Sequence, residues 1–271
     1  MRHLAPDMDP DVVAQIDGRL AGVCDEHGVA VPWAIESGSR AWGFPSPDSD
    51  YDCRFFFVRR LDDYLDPWPP RDVIETPLDA VFDVNGWDLV KAVRLAANGN
   101  ATVSEWLRSP LVYSGDPAFR DALGAVCAAL VDPHLVGRHY LHVGQGQWER
   151  SGAPHGDEVV LKRVFYALRP AAALHWMRLH GSATPPMNLV ELLDEAPPPE
   201  QVREAVDRMV AAKAVTRELG SGSVDPAVAL WITDQLEDAR GRYDRARAVT
   251  AGRRHDAAAA FRELVRAWAP N

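Results

Sequence analysis

Apolar positions first recur along the chain at helical spacing: Val12, Val13, Ile16, Leu20 and Val23. Asp9 stands where an N-cap belongs, Pro10 falls at the first helical position and Gly28 closes the run, so the pattern predicts a helix over 10–27. The period then shortens. "VAVPWAIES" (29–37) reads as a strand, followed by a Gly38-Ser39 turn and a short helix over 40–43; Pro45, Pro47 and Asp48 make "FPSPDS" a loop. "YDCRFFFV" (51–58) is aromatic and β-prone, hence a second strand. A long surface connection over 61–77 leads to "LDAVFDVNGW" (78–87), a third strand. From Trp87 helical periodicity takes over in "WDLVKAVRLAANG", "ATVSEWLRSP" and "DPAFRDALGAVCAALVD". Beyond about 132 the chain reads as wholly helical, broken by loop signals at "SGAPHGD" (151–157), "GSATPP" (181–186), "EAPPPE" (195–200) and "GSGS" (220–223). No internal repeat is visible. The pattern predicts an α/β domain over 1–125 and an all-helical domain over 126–271, with the boundary falling between about 115 and 135.

Composition narrows this picture. A chain of 271 residues with 47% hydrophobic content can bury a sizeable core. No run of eighteen apolar residues exists, and "MRHLAPDMDPD" has no stretch of signal-peptide length, so neither a membrane span nor secretion is expected and the cytoplasm is the expected location. Cys24, Cys53 and Cys127 are odd in number and widely spaced, which argues against a disulfide framework and a cysteine-rich zinc site and predicts buried or half-buried thiols. A formal net charge of −10 is wrong for holding nucleic acid by bulk electrostatics. It leaves room for a small anionic ligand carried in with a divalent ion, which can outweigh local carboxylates.

The candidate chemistry lies in "ESGSRAWGFPSPDSDYDCRFFF" (36–57). Along a strand side chains alternate faces, so Asp50 and Asp52 point the same way, about 7 Å apart by strand rise. Two carboxylates so placed repel unless a cation bridges them, and hard ions such as Mg²⁺ prefer carboxylate and phosphate oxygens. Asp83, in "AVFDVNG", is the candidate third carboxylate, on a strand that could pair beside the second; Asp79 and Asp88 are weaker alternatives, since Asp88 suits the start of the next helix. The plain structural reading makes Asp48, Ser49 and Asp50 turn residues and Asp52 an edge charge that discourages aggregation. Gly38-Ser39, between a strand and a short helix, offers backbone N–H groups and a hydroxyl to phosphates. Arg40 and Arg54 could offset phosphate charge or pair with a neighbouring acid.

A Gly-Ser turn, a gap of about ten residues, then Asp-hydrophobic-Asp-hydrophobic in a strand and a later strand carboxylate resemble the DNA polymerase β-like nucleotidyltransferase superfamily. "ESGSRAWGFPSPDSDYD", "DVNGWDL" and "EWLRSPLVY" are most similar to the bacterial and phage nucleotidyltransferases of the RNA-repair-associated polymerase-β family. The matching motifs run from about Trp33 to Leu193. The resemblance implies an α/β (α+β) nucleotidyltransferase domain with a small mixed sheet, followed by the helical domain. It also implies that Gly38 and Ser39 bind the triphosphate, with Arg40 beside them, that Asp50 and Asp52 hold Mg²⁺ (or Mn²⁺), and that Asp83 assists the attacking hydroxyl as third metal carboxylate. The motif is complete here, which argues against a catalytically dead copy. The implied reaction moves a nucleoside monophosphate from an NTP to an acceptor hydroxyl, with pyrophosphate leaving. RNA 3′ ends are the acceptor suggested by association; a small molecule or a protein hydroxyl is chemically equivalent, and the choice of NTP and the oligomeric state are not encoded in any motif.

In the second half, "DEVVLKRVFYALRPAAALHWMRLH" (157–180) reads as a helix whose Leu161, Val164, Phe165, Leu168 and Ala172 form an apolar face. Lys162, Tyr166 and Arg169 gather on an adjoining stripe at i, i+4 and i+7, where they could meet a triphosphate and a base, or simply face solvent. A "K-x-x-x-Y-x-x-R-P" helix recurs at this place in the resembled family, which implies nucleotide contact. Pro170 should kink the helix just after Arg169. His139 and His142 lack an acidic or cysteine partner nearby in sequence and read as ordinary surface or core histidines, and among the tryptophans Trp42 is placed to approach a ligand.

Overall fold

The computed structural model describes residues 1–156, 158–217, 220–245 and 247–270. In chain order its elements are α1 (Pro10–His27), β1 (Ala30–Glu36), α2 (Gly38–Ala41), β2 (Tyr51–Val58), α3 (Leu61–Leu65), β3 (Val73–Glu75), β4 (Phe82–Asp88), α4 (Leu89–Ala97), α5 (Ala101–Leu107), β5 (Val112–Gly115) and α6 (Pro117–Leu130). There follow α7 (Pro133–Arg150), β6 (Val159–Val160), α8 (Leu161–His180), α9 (Leu189–Glu195), α10 (Glu200–Val215), β7 (Ser221–Gly222), α11 (Pro226–Tyr243) and α12 (Ala251–Trp268). Four helices, α1, α6, α7 and α11, open with the same Asp-Pro pair. In each the aspartate oxygen accepts a first-turn N–H and the proline fills a position whose N–H would be orphaned. Each such cap is worth about 1 kcal/mol. None of the described helices is long and apolar enough to cross a membrane.

The chain divides into two compact units, residues 1–41, 50–131 and 249–271 in one and 42–49 and 132–248 in the other. The division differs from the expected 1–125 and 126–271 because the chain returns. Ala257, Phe261, Leu264 and Val265 of α12 pack on α4 and α6 in the first unit, a long-range contact with no local signal. Asn271, the expected end of the helical domain, lies outside the described residues.

The first unit is built on a five-stranded sheet in the order β3-β4-β2-β1-β5. β2 runs parallel to β4 and antiparallel to β1, so the sheet is mixed, as expected. β2 explains the layering, because its residues alternate between two cores. Tyr51, Cys53, Phe55 and Phe57 pack with Val13, Ile16, Leu20 and Val23 of α1, while Phe56 and Val58 pack with Trp33, Leu89, Trp106 and Phe119 under α4, α5, α6 and α12. Each buried aromatic contributes about 2–3 kcal/mol of transfer free energy. On the second face the first two β2 positions, Asp52 and Arg54, are polar and only partly buried, so one end of that face carries charge where the other carries core.

Several elements depart from the expected ones. The connection over 61–77 contains α3 and the short edge strand β3, the third strand begins at Phe82 and not at 78, and β5 occupies a stretch absorbed into the helical reading. These strands are three or four residues long at a sheet edge, too short to display a period. The helical half also carries a two-stranded ribbon, β6 with β7.

In the second unit α7 packs on α8, α11 packs against both, and α9 and α10 join α8 and α11. The helix expected over 157–180 is observed as α8, and Asp157 lies outside the described residues. α8 continues through buried Pro170 to His180. Segment 42–49 is anchored within this unit. The Leu189 N–H donates to the Trp42 carbonyl at 2.9 Å, Phe44 lies 5.0 Å from Phe165 between ring centres, and buried Lys213 donates its Nζ to the Phe44 carbonyl at 2.6 Å.

Candidate active site

The candidate carboxylates sit on two neighbouring strands whose register is fixed by the parallel ladder: Asp52 stands opposite Asp83, and Arg54 opposite Asn85. All four side chains share the face on which Phe56 and Trp87 continue toward the core. Asp50 lies one residue before β2 and is exposed. Asp79 and Asp88 lie apart from this group. Asp79 caps a turn by accepting the Val81 N–H at 3.0 Å. Asp88, at the far end of β4, accepts from Val90 N–H as the N-cap of α4, from Arg59 Nε at 2.8 Å and from Tyr64 Oη at 2.9 Å.

Arg54 ties the pair together. Its Nη2 donates to Asp52 Oδ1 at 3.0 Å and to Asp83 Oδ2 at 2.9 Å, while Nη1 donates to the carbonyls of Cys53 and Asp83 at 3.0 Å each. Asp83 Oδ1 in turn accepts from Asn85 Nδ2 at 2.7 Å. The carboxylates are 31% and 27% exposed, so solvent and ligands can reach them.

Gly38 opens the short helix α2 with φ of 61°, the left-handed region that favours glycine. A Cβ there would lie 2.0 Å from Asp52 Oδ2. The glycine is therefore required twice, by its backbone and by the carboxylate leaning on it. Ser39 and Arg40 follow on α2, and the Arg40 guanidinium lies 4.1 Å from the centre of the Tyr51 ring.

Behind Asp52 lies Glu36, which the sequence reading did not single out. It is fully buried. Its Oε1 accepts the Asp52 backbone N–H at 2.9 Å and its Oε2 is hydrogen-bonded to the Tyr113 hydroxyl. Burial pushes its carboxyl up to about 8, against the opposing pull of the Tyr113 hydrogen bond. The signal was available, since alternation puts Glu36 on the same face as Ala34, the apolar side against α1, where a carboxyl needs dedicated partners.

In the second unit Lys162 is exposed and its Nζ lies 5.9 Å from the centre of the Tyr166 ring, which meets Trp42 edge-on at 5.3 Å. Arg169 does not share their exposed stripe. It is 4% exposed, donates Nε to the Met187 carbonyl at 2.8 Å, and lies 5.1 Å from the Trp42 ring centre.

The donor set fits a hard divalent ion, because Asp52 and Asp83 present carboxylate oxygens on one face, with Asp50 immediately upstream and no sulfur or imidazole among them. Among the described residues no three acidic, histidine or cysteine side chains already converge as a ligand cluster; the cation that joins Asp52 to Asp83 is Arg54.

Residues 12–262 match the family model described as the RNA repair pathway DNA polymerase beta family. YcgL of Bacillus subtilis (strain 168), an uncharacterized protein, is 34% identical over 223 residues, 82% of this chain and 85% of that relative. The match spans Gly38, Asp50, the Asp52 strand and the Asp83 strand together, and with nine-tenths of the sequence inside it the chain belongs to this polymerase β-like nucleotidyltransferase family.

Proposed function

We propose that the protein transfers a nucleoside monophosphate from an NTP to an acceptor hydroxyl, with Mg²⁺ as cofactor and pyrophosphate as the second product. The observation that carries this reading is the register of Asp52 against Asp83 beside a glycine whose missing side chain makes room for the Asp52 carboxylate. Bound divalent ions would supply charge neutralisation at the phosphoryl oxygens and lower the pKa of the attacking hydroxyl. Asp50 and Asp52 would hold them, with Asp83 as the third carboxylate. Asp83 would also orient the attacking hydroxyl and accept its proton, a role its partly exposed oxygens allow. Gly38 and Ser39, opening α2, would seat the triphosphate, with the Arg40 guanidinium as nearby positive charge. Glu36 would fix the backbone from which Asp52 projects.

In the second unit, Lys162 and Tyr166 offer a cation and an aromatic face, the groups that a phosphate and a base engage. Arg169 would act there through Trp42, whose ring it supports. An RNA 3′ end is the acceptor in keeping with the family's description. The net charge of −10 lends no bulk attraction for it, so recognition would rest on local contacts.

A second reading, a nucleotide-binding module without turnover, draws on the engagement of Asp52 and Asp83 by Arg54. Incubation with each α-labelled NTP, Mg²⁺ and separate RNA, protein and small-molecule pools distinguishes the two. Label appearing in one pool supports transfer; NTP binding with no labelled pool supports the module.

A further inference from the structure

Arg54 is fixed in two different ways by the two nitrogens at its tip. Nη1 rests on backbone carbonyls, those of Cys53 and Asp83, which keep their positions whatever the charge state of the site. Nη2 alone touches the carboxylates, one oxygen of Asp52 and one of Asp83. The alternation that puts Asp52 on this face of β2 puts Arg54 two residues on beside it, so the arrangement is built into the strand. From it we infer that Arg54 is the internal counter-ion of the metal-free site, and that a divalent cation binds by displacing Nη2 from Asp52 and Asp83. The inference rests on the metal-binding reading of these carboxylates given above.

Two carboxylates on adjacent strands repel, and relief of that repulsion takes a positive charge between them. Arg54 supplies it. A guanidinium stays protonated in any accessible pH range, so it has no way to accommodate an arriving cation except by moving. Finally, Nη2 occupies one oxygen of each carboxylate, so its positive charge competes with a divalent ion for the same two groups. Once released, Nη2 faces the site as a free donor suited to a phosphate oxygen.

The test measures Mn²⁺ binding by calorimetry in nucleotide-free protein, with thermal unfolding recorded with and without Mn²⁺, for wild type, Arg54→Gln and Arg54→Lys. Loss of the competing cation should tighten Mn²⁺ binding by about two- to fivefold in Arg54→Gln, the equivalent of one modest ion pair. The same variant should melt lower than wild type without metal and gain more from Mn²⁺ than wild type does. Arg54→Lys, a point charge without the fork, should fall between the two. If Arg54→Gln does not fold, the lysine variant decides alone: tighter binding than wild type supports the displacement. Equal or weaker Mn²⁺ affinity in a folded variant overturns it while leaving the metal site intact. If natively folded wild type and both variants all fail to take up Mn²⁺, the metal-binding reading itself fails, and the displacement with it.

Discussion

Asp52 and Asp83 face each other across the parallel β2–β4 ladder, and a single nitrogen of Arg54 touches an oxygen of both. Groups joined in this way act as a unit, and their substitutions should not add. Asp52→Asn and Asp83→Asn are each expected to lower turnover by about a hundredfold or more, on the scale seen when a group aimed at developing charge is removed. The double variant should lose little beyond the worse single one. Steady-state rates for the three proteins, each checked for native unfolding, measure this, and a double loss equal to the product of the single losses would count against a shared role.

Gly38 allows the Asp52 carboxylate to lie where it does. Gly38→Ala places a Cβ 2.0 Å from Asp52 Oδ2 on a backbone with φ of 61°. The left-handed conformation alone costs about 1–2 kcal/mol for a residue with a Cβ, and the clash moves the carboxylate as well. Denaturant unfolding should show a loss of at least this size, and Mn²⁺ affinity should fall with it. A variant of wild-type stability and wild-type metal affinity would show that the close approach is not required.

Asp88 is a structural acid at the opposite end of the same strand. Asp88→Ala removes the α4 cap and leaves the buried Arg59 guanidinium without its carboxylate, a loss of about 3–5 kcal/mol. Asp88→Asn keeps an oxygen for the Val90 N–H and should cost less. Urea titration of the two variants orders them; equal losses would assign the effect to charge alone.

Burial pushes the Cys127 thiol up to about 12 and raises those of Cys53 and Cys24 as well. An acid whose pKa is raised on folding keeps its proton in the native state, so the favourable contribution is whole below the ordinary thiol pKa of about 9 and is lost as pH rises toward 12 for Cys127. Native protein at pH 8 should therefore label with a thiol reagent at Cys127 at least about a hundredfold more slowly than a free cysteine, and all three thiols should label on unfolding. Rapid native labelling of Cys127 at pH 8 would contradict this environment.

Lys162 is exposed above Tyr166, so Lys162→Ala should weaken nucleotide binding by about three- to tenfold without lowering the melting temperature. Unchanged nucleotide affinity would return the lysine to a solvated helix face.

What could be read in advance follows from how local each signal is. α1 was legible to the residue, because Asp9, Pro10 and Gly28 mark both ends, and so was β2, whose aromatic run has only one reading. Asp83 was legible as a candidate because it lies on an expected strand that could pair beside the second; its place opposite Asp52 needed the observed register. The return of α12 to the first unit and the anchoring of 42–49 in the second were not, since both are settled by packing across more than a hundred residues. Arg54 was visible as a cation near the acids, but a choice between phosphate and carboxylate partners needs the strand register. Arg169 shows the converse limit: helical spacing put it on a polar stripe, whereas a backbone carbonyl and the Trp42 ring satisfy it in the interior.

The most direct test of the central claim is pyrophosphate release counted against α-label incorporated into acceptor, with wild type and Asp52→Asn assayed side by side in Mg²⁺. The account predicts one pyrophosphate per label transferred by wild type and loss of both together in the variant. Transfer that continues at the wild-type rate in Asp52→Asn, or NTP binding with no pyrophosphate released across RNA, protein and small-molecule acceptors, would contradict it.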